Sequence, residues 1–330
     1  MIPFKRALPT CPPRTYLPTA ARHASTLSTR NSQTMRLPDG RTLGFSEHGR
    51  ETDYPLIFMH GYPTSRLESV GIDDLARRQN LRIITPDRNG YGLTTFDPQR
   101  RIVDWPDDIK ALAEHIGITR FAVLGGSGGS PYALACAYRL PQNMLSGVGI
   151  MAGAGPWEAG AHHMKMSYRL SAMAAHHWPA GYRGLWNFLV WMLKRQLESP
   201  SGMQHIDKAL KKHMGEQDSM TPDELRDVVA NQVFEAFRQG SEPAVYDARL
   251  LTSNWGIKFE DVTQHNVRIW HGSQDTNAPV EMMRYLAERL PRATLQEFAD
   301  DTHFTLSQHL DQFLSELVPE QARAESQMST

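Results

Sequence analysis

The feature that most constrains this chain is a serine between glycines, directly after a short apolar run. Phe121-Ala-Val-Leu reads as a buried strand, and Gly125-Gly-Ser127-Gly-Gly129 follows it. The glycines permit a tight, strained turn, because they bring no side chains into a crowded backbone. Pro131 suits the first turn of a helix. This G-x-S-x-G spacing between strand and helix predicts that the Ser127 hydroxyl is exposed at the end of a sheet.

The same glycines do not fit a nucleotide-binding loop. A G-x-G-x-x-G fingerprint that starts at Gly126 would need glycine where Pro131 stands, and the lysine of a P-loop is absent. We therefore expect no nucleotide here, and no cofactor for the protein.

Two residues of the kind that activate a serine follow later strands. The run that begins at Val267 ends in a loop with Asp275, and the run that begins at Ala293 ends in a loop with His303. The chain order Ser, Asp, His, each just after a strand, would bring all three to one edge of a parallel sheet. We expect Ser127 as nucleophile, His303 as its base and Asp275 as the group that orients the histidine.

Two upstream segments extend the pattern, Pro55-Leu-Ile-Phe-Met-His-Gly-Tyr-Pro and Asp87-Arg-Asn-Gly-Tyr-Gly. With the serine turn they resemble the α/β-hydrolase fold superfamily, over roughly residues 35–155 and 260–318. The turn around Ser127 resembles that of the serine esterase, thioesterase and proline-iminopeptidase branch. The chain does not resemble epoxide hydrolases or haloalkane dehalogenases, because those families carry aspartate at the position of Ser127.

The resemblance also implies an oxyanion hole, a pair of backbone N–H groups that bind the negative oxygen formed during acyl transfer. One donor is the N–H of Gly128, just after the nucleophile. The other belongs to the His-Gly loop, where Pro63 has no N–H and Tyr62 is the expected donor.

Other acids remain candidates for related roles. Glu158 rivals Asp275, because in some relatives the acid follows an earlier strand. Asp300 and Asp301 lie so close in sequence to His303 that we expect a turn or cap role for them.

Several histidines need a separate interpretation. His60 and His271 each precede a glycine at a strand end, and we expect them to hold their loops by hydrogen bonds. The pairs at 162–163 and 176–177 have no carboxylate or cysteine at helical ligand spacing, so we expect no metal there.

Composition fits one large α/β domain, with 330 residues, 40% hydrophobic and 22% charged. A net charge of −1 gives no reason to expect a nucleic-acid partner, and nothing in the sequence indicates an oligomeric state. Cys11 and Cys136 imply no disulfide framework, and we expect Cys136 to be buried. No apolar stretch reaches the length of a membrane span, so we expect no stable membrane insertion.

The chain divides into several segments. Residues 1–32 carry arginines, lysine and hydroxyl side chains without an acid, which resembles a mitochondrial transit peptide. Their prolines leave a basic tail of a cytoplasmic protein as the alternative. Strand and helix patterns alternate over 33–154 and 259–318 after a hairpin signal at Asp39-Gly40, which predicts an α/β core with a doubly wound, mostly parallel sheet. We assign 319–330 to a C-terminal tail.

Residues 155–258 have helical spacing, and an insertion at this point resembles the helical cap of the superfamily. Its bulky side chains suit an apolar substrate roof, or the packing of the cap on the core. The run from Leu185 to Leu193 predicts a buried cap helix, with a dip into a lipid surface as the alternative. The cap tryptophans are Trp157, Trp178, Trp186, Trp191 and Trp255.

These features predict a serine hydrolase that cleaves a small to medium, largely apolar carboxylic ester or thioester through an acyl-serine intermediate. One alternative is an aminopeptidase of the proline-iminopeptidase kind, which would need carboxylates such as Glu158 or Glu235 for the substrate amine. That branch often has tryptophan where this chain has Gly128. The other alternative functions are an acyltransferase and a ligand receptor on the same scaffold.

Overall fold

A single mixed sheet forms the centre of the structure, a computed structural model that describes residues 29–214 and 221–323. The strand order is β1-β2-β4-β3-β5-β6-β7-β8. The pairs β1–β2 and β2–β4 are antiparallel, and the other neighbouring pairs are parallel. The strands are β1 Gln33–Arg36, β2 Thr42–His48, β3 Tyr54–Met59, β4 Leu81–Pro86, β5 Phe121–Gly126, β6 Leu145–Met151, β7 Val267–Gly272 and β8 Ala293–Phe298.

Helices cover both faces of this sheet. Successive strand residues point to opposite faces, so Ile57 and Val123 pack into one layer, and Leu56 and Leu124 into the other. The helices are α1 Asp73–Arg78, α2 Trp105–His115, α3 Ser130–Arg139, α4 Met166–His177, α5 Pro179–Leu197, α6 Pro200–Met214, α7 Pro222–Ala236, α8 Glu242–Leu251, α9 Val280–Arg289 and α10 Leu310–Leu317. The layers contain α2, α3 and α9 on the first face, and α1 and α10 on the second. The doubly wound α/β architecture is therefore confirmed.

The helices α4 to α8 form the cap between β6 and β7. Two fully buried arginines of the core form ion pairs with the cap. Arg66 Nη1 lies 2.6 Å from Glu235 Oε1 on α7, and Arg88 Nη1 lies 2.8 Å from Asp247 Oδ2 on α8. Loss of Asp247 would leave the Arg88 charge without its ion pair, at a cost of about 3–5 kcal/mol, whereas Arg66 is also paired with Asp87 in the core.

Both ends of the described chain are packed onto the core. The Arg30 guanidinium donates to the Gly49 carbonyl at 2.7 Å, and the Asn31 carbonyl accepts from Arg66 Nε at 2.7 Å. Near the other end, the Arg323 guanidinium donates to the Gln79 carbonyl at 2.8 Å. These hydrogen bonds, at Arg30, Asn31 and Arg323, lie within the expected tails 1–32 and 319–330. Residues 1–28, with Cys11, lie outside the described residues.

Two local expectations are confirmed. The turn at Asp39-Gly40 joins β1 and β2 into an antiparallel hairpin, and Gly40 takes a positive φ of 88° that suits glycine. Cys136 is buried in α3, and burial raises the pKa of its thiol.

Helix α5 differs from the prediction of a buried cap helix. Leu185, Phe188 and Trp191 are 50%, 54% and 54% exposed. The apolar run surrounds the helix, a pattern that predicts burial, but neighbouring elements cover mainly the side with Tyr182 and Trp186. Among the helices of the described ranges, none has the length and apolar character needed to cross a membrane.

Candidate active site

Ser127 lies on a sharp turn directly after β5. Its φ is +49°, a strained value for a residue with a side chain. A Cβ on Gly129 would lie 2.0 Å from the Met59 carbonyl oxygen, and one on Gly125 would lie 2.7 Å from the Gly129 carbonyl oxygen. Because any side chain would clash at either position, the turn requires both glycines.

The three predicted residues meet at the ends of the parallel strands. His303 Nε2 lies 3.0 Å from Ser127 Oγ, and His303 Nδ1 lies 2.7 Å from Asp275 Oδ2. Both distances are those of hydrogen bonds, so a proton can pass from the hydroxyl to the imidazole while the carboxylate holds the opposite ring nitrogen.

Asp275 is buried and held by its own loop. Its Oδ1 accepts the backbone N–H groups of Asn277 and Ala278, at 2.8 and 2.9 Å. His271 donates through Nε2 to the Ala278 carbonyl at 2.7 Å, and the same nitrogen lies 3.4 Å from Asp275 Oδ2. Burial lowers the pKa of His271. This histidine therefore supports the acid's loop.

The rival acids lie elsewhere. Glu158 is exposed and lies beside Tyr285 on α9. Asp300 is exposed as well. Asp301 accepts the Thr305 hydroxyl at 2.8 Å and lies 2.9 Å from His309 Nε2, so it holds the loop that follows β8.

The peptide between Gly61 and Tyr62 faces Ser127's turn. A Cβ built on Gly128 would lie 3.1 Å from the Tyr62 nitrogen, so the two expected oxyanion donors belong to adjacent backbone segments. Within the described part of the chain, the Tyr62 N–H donates to no acceptor. Such an amide can donate to a ligand oxygen bound between Tyr62 and Gly128.

Buried donors fix the carbonyl end of the same peptide. The Gly61 oxygen accepts from Arg88 Nη2 at 2.7 Å and from His60 Nδ1 at 2.9 Å. His60 Nε2 accepts the Arg88 backbone N–H at 3.0 Å, which requires a neutral ring with its proton on Nδ1. Burial and the nearby Arg88 charge hold the pKa of His60 well below 6.5, consistent with that tautomer.

Arg88 and Asp247 were not singled out from the sequence. Asp247 accepts from Arg88, from the Tyr132 hydroxyl at 2.6 Å and from the Tyr91 hydroxyl at 3.0 Å. The position of Arg88 directly after a predicted strand could have indicated that it lies near the site. The local sequence around Asp247 gives no such indication, because its partners are distant in sequence.

Glu68 is a second residue that the sequence did not reveal. Its Oε2 accepts the Gly61 N–H at 2.7 Å and also contacts the Thr64 hydroxyl. Burial raises the pKa of this carboxyl. The Gly61 N–H is thus occupied, which leaves the neighbouring Tyr62 N–H as the donor of this pair that can bind a ligand.

A cavity of about 210 Å³ opens beside Ser127 and His303. Among its described lining residues, His303 is the sole titratable group other than tyrosine, and no carboxylate is present. The larger aromatic and apolar lining side chains are Tyr62, Trp157, Met164, Tyr168, Tyr182, Leu251, Met282 and Phe304.

The cap tryptophans serve different purposes. Trp157 lines the cavity, whereas Trp186 packs edge-to-face against Tyr62 and Tyr182. Trp255 is buried against Phe259, and Trp178 and Trp191 are exposed. Of these five tryptophans, Trp157 is among the described residues that line the cavity, together with methionine and tyrosine side chains.

The paired histidines are surface residues of the cap. The rings at 162 and 163 lie 4.1 Å apart and are tilted by 48°, and His176 Nε2 lies 2.8 Å from the Thr252 hydroxyl. Over residues 29–214 and 221–323, no group of three or more His, Cys, Asp or Glu side chains is placed to hold a metal ion.

The chain matches the protein family described as alpha/beta hydrolase fold over residues 54–310. That span is well over half of the chain, so the protein belongs to this family. Among curated relatives, the proline iminopeptidase of Xanthomonas citri is 35% identical over 112 residues, which are 31% of this chain and 34% of the relative. Alignments with the first curated relatives span about a third of their length.

Solved structures share the fold over most of the chain. An esterase from Exiguobacterium antarcticum has a TM-score of 0.56 at 18% identity, covering 87% of this chain and 98% of its own. An esterase from Rhodococcus sp. ECU1013 has a TM-score of 0.59 at 16% identity, covering 87% and 99%. At these identities the similarity concerns the fold.

Proposed function

We propose that the protein is a serine hydrolase that cleaves small to medium, largely apolar carboxylic esters or thioesters. The observation that carries this proposal is the hydrogen-bonded chain Ser127–His303–Asp275, with 3.0 and 2.7 Å contacts at the mouth of an apolar cavity. A serine hydroxyl needs an adjacent base to become a nucleophile, and this geometry supplies one.

The reaction would proceed in two halves. Ser127 Oγ attacks the substrate carbonyl carbon and passes its proton to His303 Nε2, while Tyr62 and Gly128 N–H groups bind the negative oxygen. The bond to the alkoxide or thiolate breaks, and His303 returns the proton to that leaving group. Water then attacks the acyl-serine, His303 takes its proton, and the carboxylic acid is released as Ser127 is protonated again.

The cavity favours an ester over a substrate with a free amine. An aminopeptidase needs carboxylates to hold the amine, and none is among the described lining residues. Glu235 is paired with Arg66, and Glu158 is exposed beside Tyr285. The proline-iminopeptidase relatives support peptidase action as the second candidate, although their alignments cover about a third of this chain.

The Ser127→Ala variant tests the reaction type. It should lose labelling by a fluorophosphonate, read by intact mass, and lose several orders of magnitude in ester turnover. The matched control is Ser171→Ala, which removes another hydroxyl from the cavity lining but none from the His303 chain. Persistent labelling and rate in Ser127→Ala would refute the proposal, and hydrolysis of proline anilide with no ester turnover would favour the peptidase.

We further propose that residues 155–258 act as the roof of this site, and that residues 1–32 direct the protein to mitochondria. The acid-free, arginine-bearing and hydroxyl-rich composition of that segment supports import. A reporter fused to residues 1–32 should enter mitochondria. A diffuse cytosolic signal would favour the cytoplasmic alternative.

A further inference from the structure

The cap has an apolar outer surface, here named the cap patch. It consists of Met166, Leu170 and Met173 on α4 together with Leu185, Phe188 and Trp191 on α5, each 50 to 59% exposed. On α4 the spacing i, i+4, i+7 puts the three residues on one helix face. On α5 the rings of Phe188 and Trp191 lie 5.8 Å apart. Helices α4 and α5 pack against each other.

Exposed apolar side chains are also present at the mouth of the active site. Tyr168 lies two positions after Met166 on α4, and so on the opposite face of that helix, and Phe304 follows His303 in the chain. Both side chains line the cavity, and both are themselves exposed, by 41% and 50%. Trp178, between α4 and α5, is 68% exposed.

The positive charge of the chain around the cap patch favours an anionic partner. From residue 159 to residue 197 the chain has no aspartate or glutamate and carries five cationic residues: Lys165, Arg169, Arg183, Lys194 and Arg195. Two of them have exposed acidic neighbours, Glu242 at 3.8 Å and Glu198 at 3.2 Å, and exposed pairs of this kind contribute little. A second copy of the chain is a less suitable partner, because it would bring two such cationic surfaces together.

We propose that the cap patch docks on the surface of a bilayer with anionic headgroups. Aromatic and aliphatic side chains enter the headgroup boundary, and the flanking cations contact the anionic lipid, as on amphipathic helices that lie in the interface plane. Docking would also bring the site near a source of apolar esters. This supply route rests on the proposed hydrolase function, whereas the docking does not.

Vesicle sedimentation with the full chain tests the docking. We expect binding to phosphatidylcholine vesicles that contain phosphatidylglycerol, and weaker binding to phosphatidylcholine alone. The double variant Phe188→Ser with Trp191→Ser should bind roughly tenfold or more weakly. Wild type and variant share the basic N-terminal segment, so the difference between them reports the cap patch.

Charge variants provide the matched comparison. Arg183→Gln with Arg195→Gln should weaken binding to anionic vesicles by about fivefold per residue. Arg77→Gln with Arg78→Gln, the same charge change on exposed positions of core helix α1, should leave binding unchanged.

The outcomes separate this proposal from the proposed function. The Phe188/Trp191 variant should turn over a soluble short ester like wild type, and Ser127→Ala should still bind vesicles. No vesicle binding by wild type, or equal binding by the Phe188/Trp191 variant, overturns the docking. So does a change in solution mass that this variant abolishes without any vesicle binding, which would assign the cap patch to a second copy.

Discussion

Arg88 connects the cap to the backbone that faces the nucleophile. Its guanidinium is fully buried, donates to the Gly61 carbonyl at 2.7 Å and pairs with Asp247 on α8. The Gly61 carbonyl and the Tyr62 N–H belong to one planar peptide, so a donor that fixes the oxygen also fixes the direction of the N–H. Arg88 is thus placed as a positioning residue for the proposed oxyanion hole.

Arg88→Lys should lower kcat by about tenfold or more with little change in KM, because one ammonium cannot hold both Gly61 and Asp247. Steady-state kinetics on a soluble ester give the two constants. The control is Arg66→Lys, which alters the other buried cap pair without touching Gly61. Both variants should lower Tm. Equal loss of kcat in the two would reduce Arg88 to a structural role.

Asp275→Asn should preserve folding and lower kcat by about 10⁴-fold, because an amide would favour the wrong tautomer of His303. Circular dichroism and kcat measured on the same preparation check the two halves of this expectation. Glu158→Gln, on the exposed rival acid, should change kcat little. A large loss of kcat in Glu158→Gln and a small one in Asp275→Asn would instead identify Glu158, in the loop after β6, as the orienting acid.

Ser127, Asp275 and His303 could be anticipated because each follows an apolar strand pattern in its own local sequence. The hairpin and the alternating strands and helices were also readable locally. The ion pairs Arg66–Glu235 and Arg88–Asp247 were not, because each joins residues more than 150 positions apart. The exposure of α5 was missed for a related reason: an apolar run shows a preference to leave water without showing which neighbours are available.

At the scale of elements, the cap and the core share the walls of the cavity. Helix α4 contributes Tyr168, α8 contributes Leu251, and α9 contributes Met282. The depth available to an acyl chain therefore depends on how these helices sit over the ends of the strands. Trp157, in the short segment after β6, closes part of this space.

Acyl chain length tests that arrangement. Each added CH2 that becomes buried contributes about 0.8 kcal/mol, so kcat/KM should rise by up to about fourfold per carbon until the cavity is full. Trp157→Ala should flatten this series, since its side chain lines the cavity. Trp186→Ala should lower Tm and leave the series unchanged, because that ring packs on Tyr62 and Tyr182. Fastest turnover of acetyl esters would contradict the apolar site.

At the scale of the whole molecule, the first described residues stabilise the core that carries the site. Arg66 is buried, and three of its contacts are Asp87, Glu235 and the Asn31 carbonyl. The N-terminal end of the fold is thereby joined to the same arginine that holds the cap.

Two truncations should separate the N-terminal segment from the fold. Deletion of residues 1–28 should leave Tm and ester turnover unchanged. Deletion of 1–32 also removes the carbonyl that accepts from Arg66, a hydrogen bond to a charged group that contributes about 1.5–3 kcal/mol, so Tm should fall. Thermal unfolding of both proteins gives the comparison. A lower Tm for the shorter deletion would show that residues 1–28 stabilise the folded protein.

The two buried ion pairs between cap and core limit how this protein could be re-engineered. A cap transplanted from a relative would meet Arg66 and Arg88 already in place and buried. Arg66 would keep its core partner Asp87, but a graft that lacks an acid at the position of Asp247 would leave the Arg88 charge without its ion pair and release the peptide of Gly61. Exchange of substrate range by swapping caps should therefore succeed with donors that supply the acid of Asp247, and the cap and the Gly61–Tyr62 loop are best treated as one unit of design.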